Sequence, residues 1–343
     1  MVEKFQPRAT SQRLAVHMEH GHVFGGDMRK IIFLALAIGC GGDKDTGDAP
    51  DTGGGGGTPG IPGTGEFEDY INSSADAGGD LTCYTGSTPA PDVLGSGCTG
   101  HTKTMSAEVL DFQTDNLVDE ATVEVFLGDG IFGVPDHSLT SDINGMVSGA
   151  MPTCEPFTTR VSTNPALDQT KVTIESHDVL PYSTVDVVVH ELNSVSSATY
   201  ALIPALIGLS PDVEKGIVAG VAYDCNRDAM AGVQVVVKNA EGEVLDGGII
   251  GNGAVNGVKA GYFVDEYPSR EQLETSEDGI FVLVDVPVGV VTVEAYIADG
   301  SGGHRILGAT ELEVLADSIN ISSVYAGISD GIRLPDSCRE ACL

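Results

Sequence analysis

Tryptophan is absent from this 343-residue chain and aromatic residues make up only 6% of it, so the ring platforms common in sugar-binding sites are scarce. Basic residues are also few: 17 Lys and Arg stand against 50 Asp and Glu, a formal net charge of −33. A field of that sign repels a phosphate backbone, which argues against a nucleic-acid partner. It keeps a protein soluble and suits a saline or cation-rich exterior without dictating fold. No apolar run approaches the roughly 20 residues needed to cross a bilayer. Helical periodicity is nearly missing. SREQLETSEDG (269–279) hints at one turn of helix, and ATYALIPALIGL (198–209), interrupted by Pro204, reads as an apolar connection rather than a long helix. Enzyme signatures are missing too. There is no Gly-x-Ser-x-Gly elbow, and the glycine run at 53–57 lacks the Lys and Ser/Thr of a phosphate loop.

What is present begins with MRKIIFLALAIGC (28–40). Arg29 and Lys30 form a positive segment, Ile31 to Ile38 an apolar one, and small Gly39 precedes Cys40, the layout of a secretory signal. A cysteine directly after a small residue resembles the bacterial lipoprotein signal, although Ala37 stands where Leu is usual. The resemblance implies that Cys40 carries the lipid and becomes the first mature residue. It also implies a membrane partner, held through that lipid, and a cell-envelope location, at the outer membrane or cell surface. Residues 1–27 read as a mis-assigned upstream start or an extension of the positive segment, and His20 and His22 within them are given no metal role. Residues 41–65 have almost no apolar side chains and cannot repay the entropy of folding. A flexible tether of that length spans roughly 25–30 Å. Without residues 1–39 the chain keeps 12 basic against 47 acidic groups.

Six further cysteines follow: Cys83, Cys98, Cys154, Cys225, Cys338 and Cys342. An even number in an exported chain implies disulfides. Zinc would need paired Cys-x-x-Cys spacing, which does not occur. Cys83 with Cys98 is the preferred pair because it closes a short polar loop. The other four remain open.

An internal repeat carries the architecture. Residues 107–127 and 217–238 each give a short β-rich run, a polar turn and a second run alternating with period two, as in Val123 and Val125 or Val233, Val235 and Val237. Residues 140–163 and 275–297 then repeat a second set of signals: Asn144-Gly145 and Asp278-Gly279 as turn dipeptides, and Pro152 and Pro287 before another strand. Many short strands between Gly, Pro, Asn and Asp turns indicate an all-β chain of two β-sandwiches. Gly232-Val233-Gln234-Val235, Thr275-Ser276-Glu277-Asp278-Gly279-Ile280-Phe281 and Val286-Pro287-Val288-Gly289 resemble the carboxypeptidase regulatory-like domain, a small sandwich of the transthyretin-like group. The resemblance covers residues 214–326, and residues 105–200 carry it more loosely. It implies stalk, accessory or binding modules of exported proteins. The expected layout is a signal at 28–39, a disordered tether at 40–66, Ig-like or transthyretin-like sandwiches at 67–212 and 213–328, and a Cys-containing tail at 329–343.

Candidate chemistry is thin. His190-Glu191 starts a zinc-protease H-E-x-x-H, but Ser194 stands where the second His is needed, so His190 reads as a strand-end residue beside a solvated Glu191. Asp224-Cys225-Asn226-Arg227-Asp228 has alternate oxygen ligands like a calcium loop, but Ala229 and Val235 break the EF-hand pattern, which favours a polar turn between strands. One transthyretin-like branch hydrolyses a urate derivative using a C-terminal Tyr-Arg-Gly-Ser, and this chain ends DSCREACL. The expectation is therefore a non-catalytic lipoprotein with a structural or binding role, no cofactor or metal, and an unknown protein or polysaccharide partner. The rivals are an extracellular hydrolase or its accessory part, with His101, His137, His177 and His304 as scattered candidates, and a calcium-stiffened adhesion module.

Overall fold

The computed structural model describes residues 78–83, 101–112, 114–128, 130–131, 133–164, 166, 169–250, 257–300, 303–335 and 337–338. The signal segment, Cys40 and the tether lie outside the described residues, as do Cys98 and Cys342.

Seven strands form the first unit: β1 (Thr102–Asp111), β2 (Thr122–Leu127), β3 (His137–Thr140), β4 (Met146–Pro152), β5 (Pro156–Ser162), β6 (Thr170–Val179) and β7 (Val187–Ser196). One layer runs β4-β1-β7, with β7 parallel to β1, and the facing layer runs β3-β2-β5-β6. Period-two alternation decides the core. Met105, Ala107 and Val109 of β1 meet Val123 and Val125 of β2 and Phe157 and Val161 of β5, all fully buried, while Thr104 stays exposed.

The second unit repeats the plan. It contains β8 (Gly216–Tyr223), β9 (Val233–Asn239), β10 (Asp246–Ile249), β11 (Val258–Val264), β12 (Tyr267–Ser269), β13 (Ile280–Val286), β14 (Gly289–Ala298), β15 (His304–Val314), β16 (Ser318–Ile321) and β17 (Val324–Tyr325). The core strands of the two units correspond, while the additions differ: β3 lies on β2 in the first unit, and β11 lies on β13 in the second. β1 pairs antiparallel with β4 as β8 does with β13, and β2 pairs with β5 as β9 does with β14. The next strand is antiparallel in both copies, β5 with β6 and β14 with β15, and each unit returns a strand parallel to its first, β7 on β1 and β16 on β8. This is an all-β, two-sandwich architecture. Gly145 and Gly279 both take left-handed backbone, φ 68° and 66°, where the turn dipeptides place them. Neither turn closes the hairpin such dipeptides suggest: the first joins β3 to β4 across the two layers, and the second joins β12 to β13, each of which pairs with β11.

The units are joined through their sheets. β16 lies parallel to β8 on one side and to β6 on the other, which makes one continuous sheet path β10-β11-β13-β8-β16-β6-β5-β2-β3. Covering of both faces makes β13 apolar almost throughout: all seven of its residues, Ile280–Val286, are buried. One face packs on the second sandwich core, and the other packs under the helix α1 (Ser197–Leu206).

That helix corrects the reading of 198–209 as a plain connection. Ser196 caps its start, its hydroxyl accepting from the Thr199 amide at 3.2 Å. Pro204 falls in the last turn, where its missing N–H removes a single bond, and Arg270 Nε donates to the Leu206 carbonyl at 2.9 Å. Tertiary burial of Tyr200 and Ile207 against Ile217, Phe263 and Ile280 outweighs the weak local pattern. The helical turn expected at 269–279 is not there. That segment is bend and turn, held by the Thr275 hydroxyl, which donates to the Met230 carbonyl at 2.7 Å and accepts from the Val233 amide at 2.9 Å.

Candidate functional site

The junction of the two units leaves a fork in the first. β6 and β7 pair antiparallel only at Thr170↔Ser196 and Lys171↔Val195. From Val172 to Glu175 the edge of β6 is taken by β16, so β7 peels away. Side chains of β6 then replace the missing ladder. Thr173 Oγ1 accepts from the Val195 amide at 2.9 Å, and Glu175 accepts from the Asn193 amide at 3.3 Å and from Asn193 Nδ2 at 3.0 Å. Further along, His190 Nε2 contacts Asp178 Oδ2, with the imidazole buried edge-on to Phe157.

The electrostatics follow from that enclosure. Burial and the neighbouring Asp178 push the Glu175 carboxyl up to about 7, against the opposing pull of His190 and the Asn193 donors. Burial alone would lower the His190 imidazole, but Asp178 and Glu175 outweigh it and hold it above its ordinary value. The His190 reading is thus corrected on two points. The residue is in mid-strand, not at a strand end, and its partner is Asp178 across the fork. A carboxylate–imidazole contact can relay or store a proton, but among the described residues no Ser, Cys or Thr nucleophile is bonded to this imidazole. The signal missed in the sequence is the polar run Glu175-Ser176-His177-Asp178 inside a strand whose alternation would otherwise put apolar residues on one face.

The other candidates separate in space. Among the described residues no group of three or more His, Cys, Asp or Glu is placed to hold a metal. His101 packs edge-on to Tyr182 and His304 to Tyr296, His137 lies on β3, and His177 Nε2 is 2.6 Å from the Glu311 carbonyl. In the 224–228 turn, the buried Asp224 carboxylate accepts from the amides of Asp80, Asn226 and Asp228 at 2.7–2.9 Å. Its lone pairs hold the turn together, as expected for an Asx turn between strands.

The disulfides differ from the preferred pair. Cys83 bonds Cys225, with Cα atoms 5.5 Å apart, and Cys154 bonds Cys338, with Cα atoms 5.4 Å apart. The short-loop argument for Cys83 with Cys98 fails because segment 78–83 folds back on the 224–230 turn. The Cys225 amide donates to the Asp80 carbonyl at 2.8 Å, and the Asp80 amide to Asp224. The second bridge ties the first sandwich to the chain end, where Ile328, Ile332 and Leu334 are buried with Val179.

A cavity of about 40 Å³ beneath α1 is lined by apolar groups including Phe112, Ile203, Phe263 and Val282. Lys259 Nζ contacts Asp285 Oδ2 in a buried ion pair. Burial raises the Asp285 carboxyl, but Lys259, the Asp212 amide and Lys215 outweigh it and hold it below the ordinary carboxylate range.

No family model matches this sequence, and no curated protein matches it. Among solved structures, the Bacillus anthracis TIE protein aligns with 68% of this chain at 10% identity and a TM-score of 0.21, and the chain spans about a third of it, 34%. The shaft pilin SpaA of Lactobacillus rhamnosus GG aligns over 68% of this chain and 100% of its own at 10% identity and a TM-score of 0.21. A streptococcal ancillary pilin aligns over 66% and 63% at 13% identity and a TM-score of 0.19. These are distant likenesses, and the fold assignment rests on the strand pairing itself.

Proposed function

We propose that this protein is a cell-envelope lipoprotein, held to a membrane through Cys40, that displays two transthyretin-like sandwiches in a structural or binding role without catalysis. The observation that carries the reading is the pair of long-range disulfides, Cys83–Cys225 and Cys154–Cys338, which belong to an oxidising compartment outside the cytosol. The signal-like segment, the cysteine after Gly39 and the acidic tether supply a route to that compartment and a way of staying at its surface. The carboxypeptidase regulatory-like pattern of residues 214–326 adds the expectation of a module that presents or binds. Mass spectrometry of the membrane-extracted chain tests the reading. It expects an acylated N-terminus at Cys40, and Cys40→Ala releases the chain from the membrane fraction. An unmodified Met1 with free thiols would remove both the anchor and the compartment.

A further inference from the structure

We propose that the outward edge of β7, beginning at Val187 and running towards Asn193, is a docking site for an extended segment of a partner protein in which apolar residues are interleaved with lysine or arginine, added to the sheet as one more strand. The proposal rests on the binding role proposed above, and it needs no anchor.

The direction of every backbone group along this edge can be deduced. Thr104 N–H donates to the Asp186 carbonyl at 3.0 Å and Phe112 N–H to the Ser194 carbonyl at 2.8 Å, so the even-numbered residues of β7 turn their amides and carbonyls towards β1. The odd-numbered residues turn theirs away. Asn193 and Val195 show where those groups go, because their amides are taken by Glu175 and Thr173 across the fork. Val187 and Val189 lie beyond that bridge, and among the described residues no strand pairs with them on that side. These two residues are 51% and 62% exposed, and Val185 beside them is 59% exposed. Natural edges are usually blunted by Lys, Pro or a bulge, and none of these occurs from Val185 to Val189.

The molecule itself shows what such an edge accepts. In the second unit the strand parallel to the first strand is β16, and its outer edge is filled by an extended strand, β6, from the neighbouring unit. β7 is the counterpart of β16 in the first unit, and along Val187–Val189 no strand among the described residues fills its outer edge. An incoming strand on β7 would repeat a pairing the fold already makes once.

Charge selects the occupant. Asp186 and Glu191 flank the open stretch, and the nearby Lys103 faces Asp186 at 3.5 Å. With 50 acidic against 17 basic residues, a second copy of this chain arrives with the same sign and is repelled. A segment with cationic side chains between apolar ones matches both the valines and their acidic frame.

The experiment titrates the full chain with a fluorescent peptide of about ten residues alternating valine and lysine, followed by anisotropy. Binding in the micromolar range is expected, weakened about tenfold or more when alternate peptide amides are N-methylated, since those N–H groups would form the ladder. Val189→Pro is expected to lose about tenfold or more, because the amide it deletes points away from β1 and serves no existing ladder bond, whereas Val189→Thr stays within about threefold. A valine–glutamate peptide is expected to bind at least about tenfold more weakly. Equal binding of the N-methylated peptide, which requires no altered protein, would reduce the effect to charge attraction and overturn the proposal. So would absence of binding, or self-association of the chain abolished by Val189→Pro, which would give the edge to a second copy. In any of these cases an unchanged acylated Cys40 would leave the anchored structural role standing.

Discussion

A methyl group added at Gly220 would lie 1.8 Å from the Ser322 carbonyl oxygen and 2.9 Å from the Phe281 ring. No side-chain rotation relieves a clash with backbone, so the chain from β16 to β17 can run this close alongside β8 only because residue 220 has no Cβ. Gly220→Ala is therefore expected to destabilise the protein by about 2–4 kcal/mol in a urea titration. An effect within about 0.5 kcal/mol would mean that β16 does not hold the position between β8 and β6 on which the joining of the units depends.

At the scale of elements, the β6–β7 fork holds two groups whose proton affinity is raised by the fold. The folded state binds the Glu175 proton more tightly, at about 7, than an exposed glutamate does at 4.5. Its contribution is thus complete below the unfolded value and is lost as pH rises through the folded one. His190, also raised, acts in the same direction: its contribution is present below 6.5 and lost as pH climbs through the folded value. Unfolding free energy should therefore fall from pH 5.5 to 8.5, and Glu175→Gln, which still accepts from Asn193 but does not titrate, should remove about 1–2 kcal/mol of that fall. Parallel slopes for the two proteins would show that Glu175 is not held near neutrality. The polar run at 175–178 is visible in the sequence, but the enclosure that shifts these groups is not. It arises only when β16, more than a hundred residues later, takes the edge that β7 would otherwise use.

At the scale of the molecule, the two disulfides span 142 and 184 residues and overlap along the chain. Loop closure over such lengths corresponds to about 5 kcal/mol for each bridge taken alone, and less for the second once the first is closed. Reduction should lower the thermal midpoint by more than about 10 °C. Cys154→Ser with Cys338→Ser should free the chain end at 328–338 to proteolysis while leaving the second sandwich core intact, which limited digestion would read. Survival of that end in the double variant would assign its packing to Ile328, Ile332 and Leu334 alone.

Several features of this protein are settled locally and were therefore legible in order along the chain. Period-two runs such as Val233–Val237 make strands because alternate residues face one core, and Asn144-Gly145 and Asp278-Gly279 make turns because glycine alone enters left-handed backbone without cost. The repeat followed from the recurrence of those signals, and its strand pairings agree with it. The helix over Ser197–Leu206 was not legible, since its stability comes from the sheet face it covers. Nor were the partners of Cys83, His190 and Val187. Disulfide choice, proton affinity and an open strand edge depend on which distant segments arrive beside a residue, and that is decided by β16 and the 78–83 segment folding back across the units.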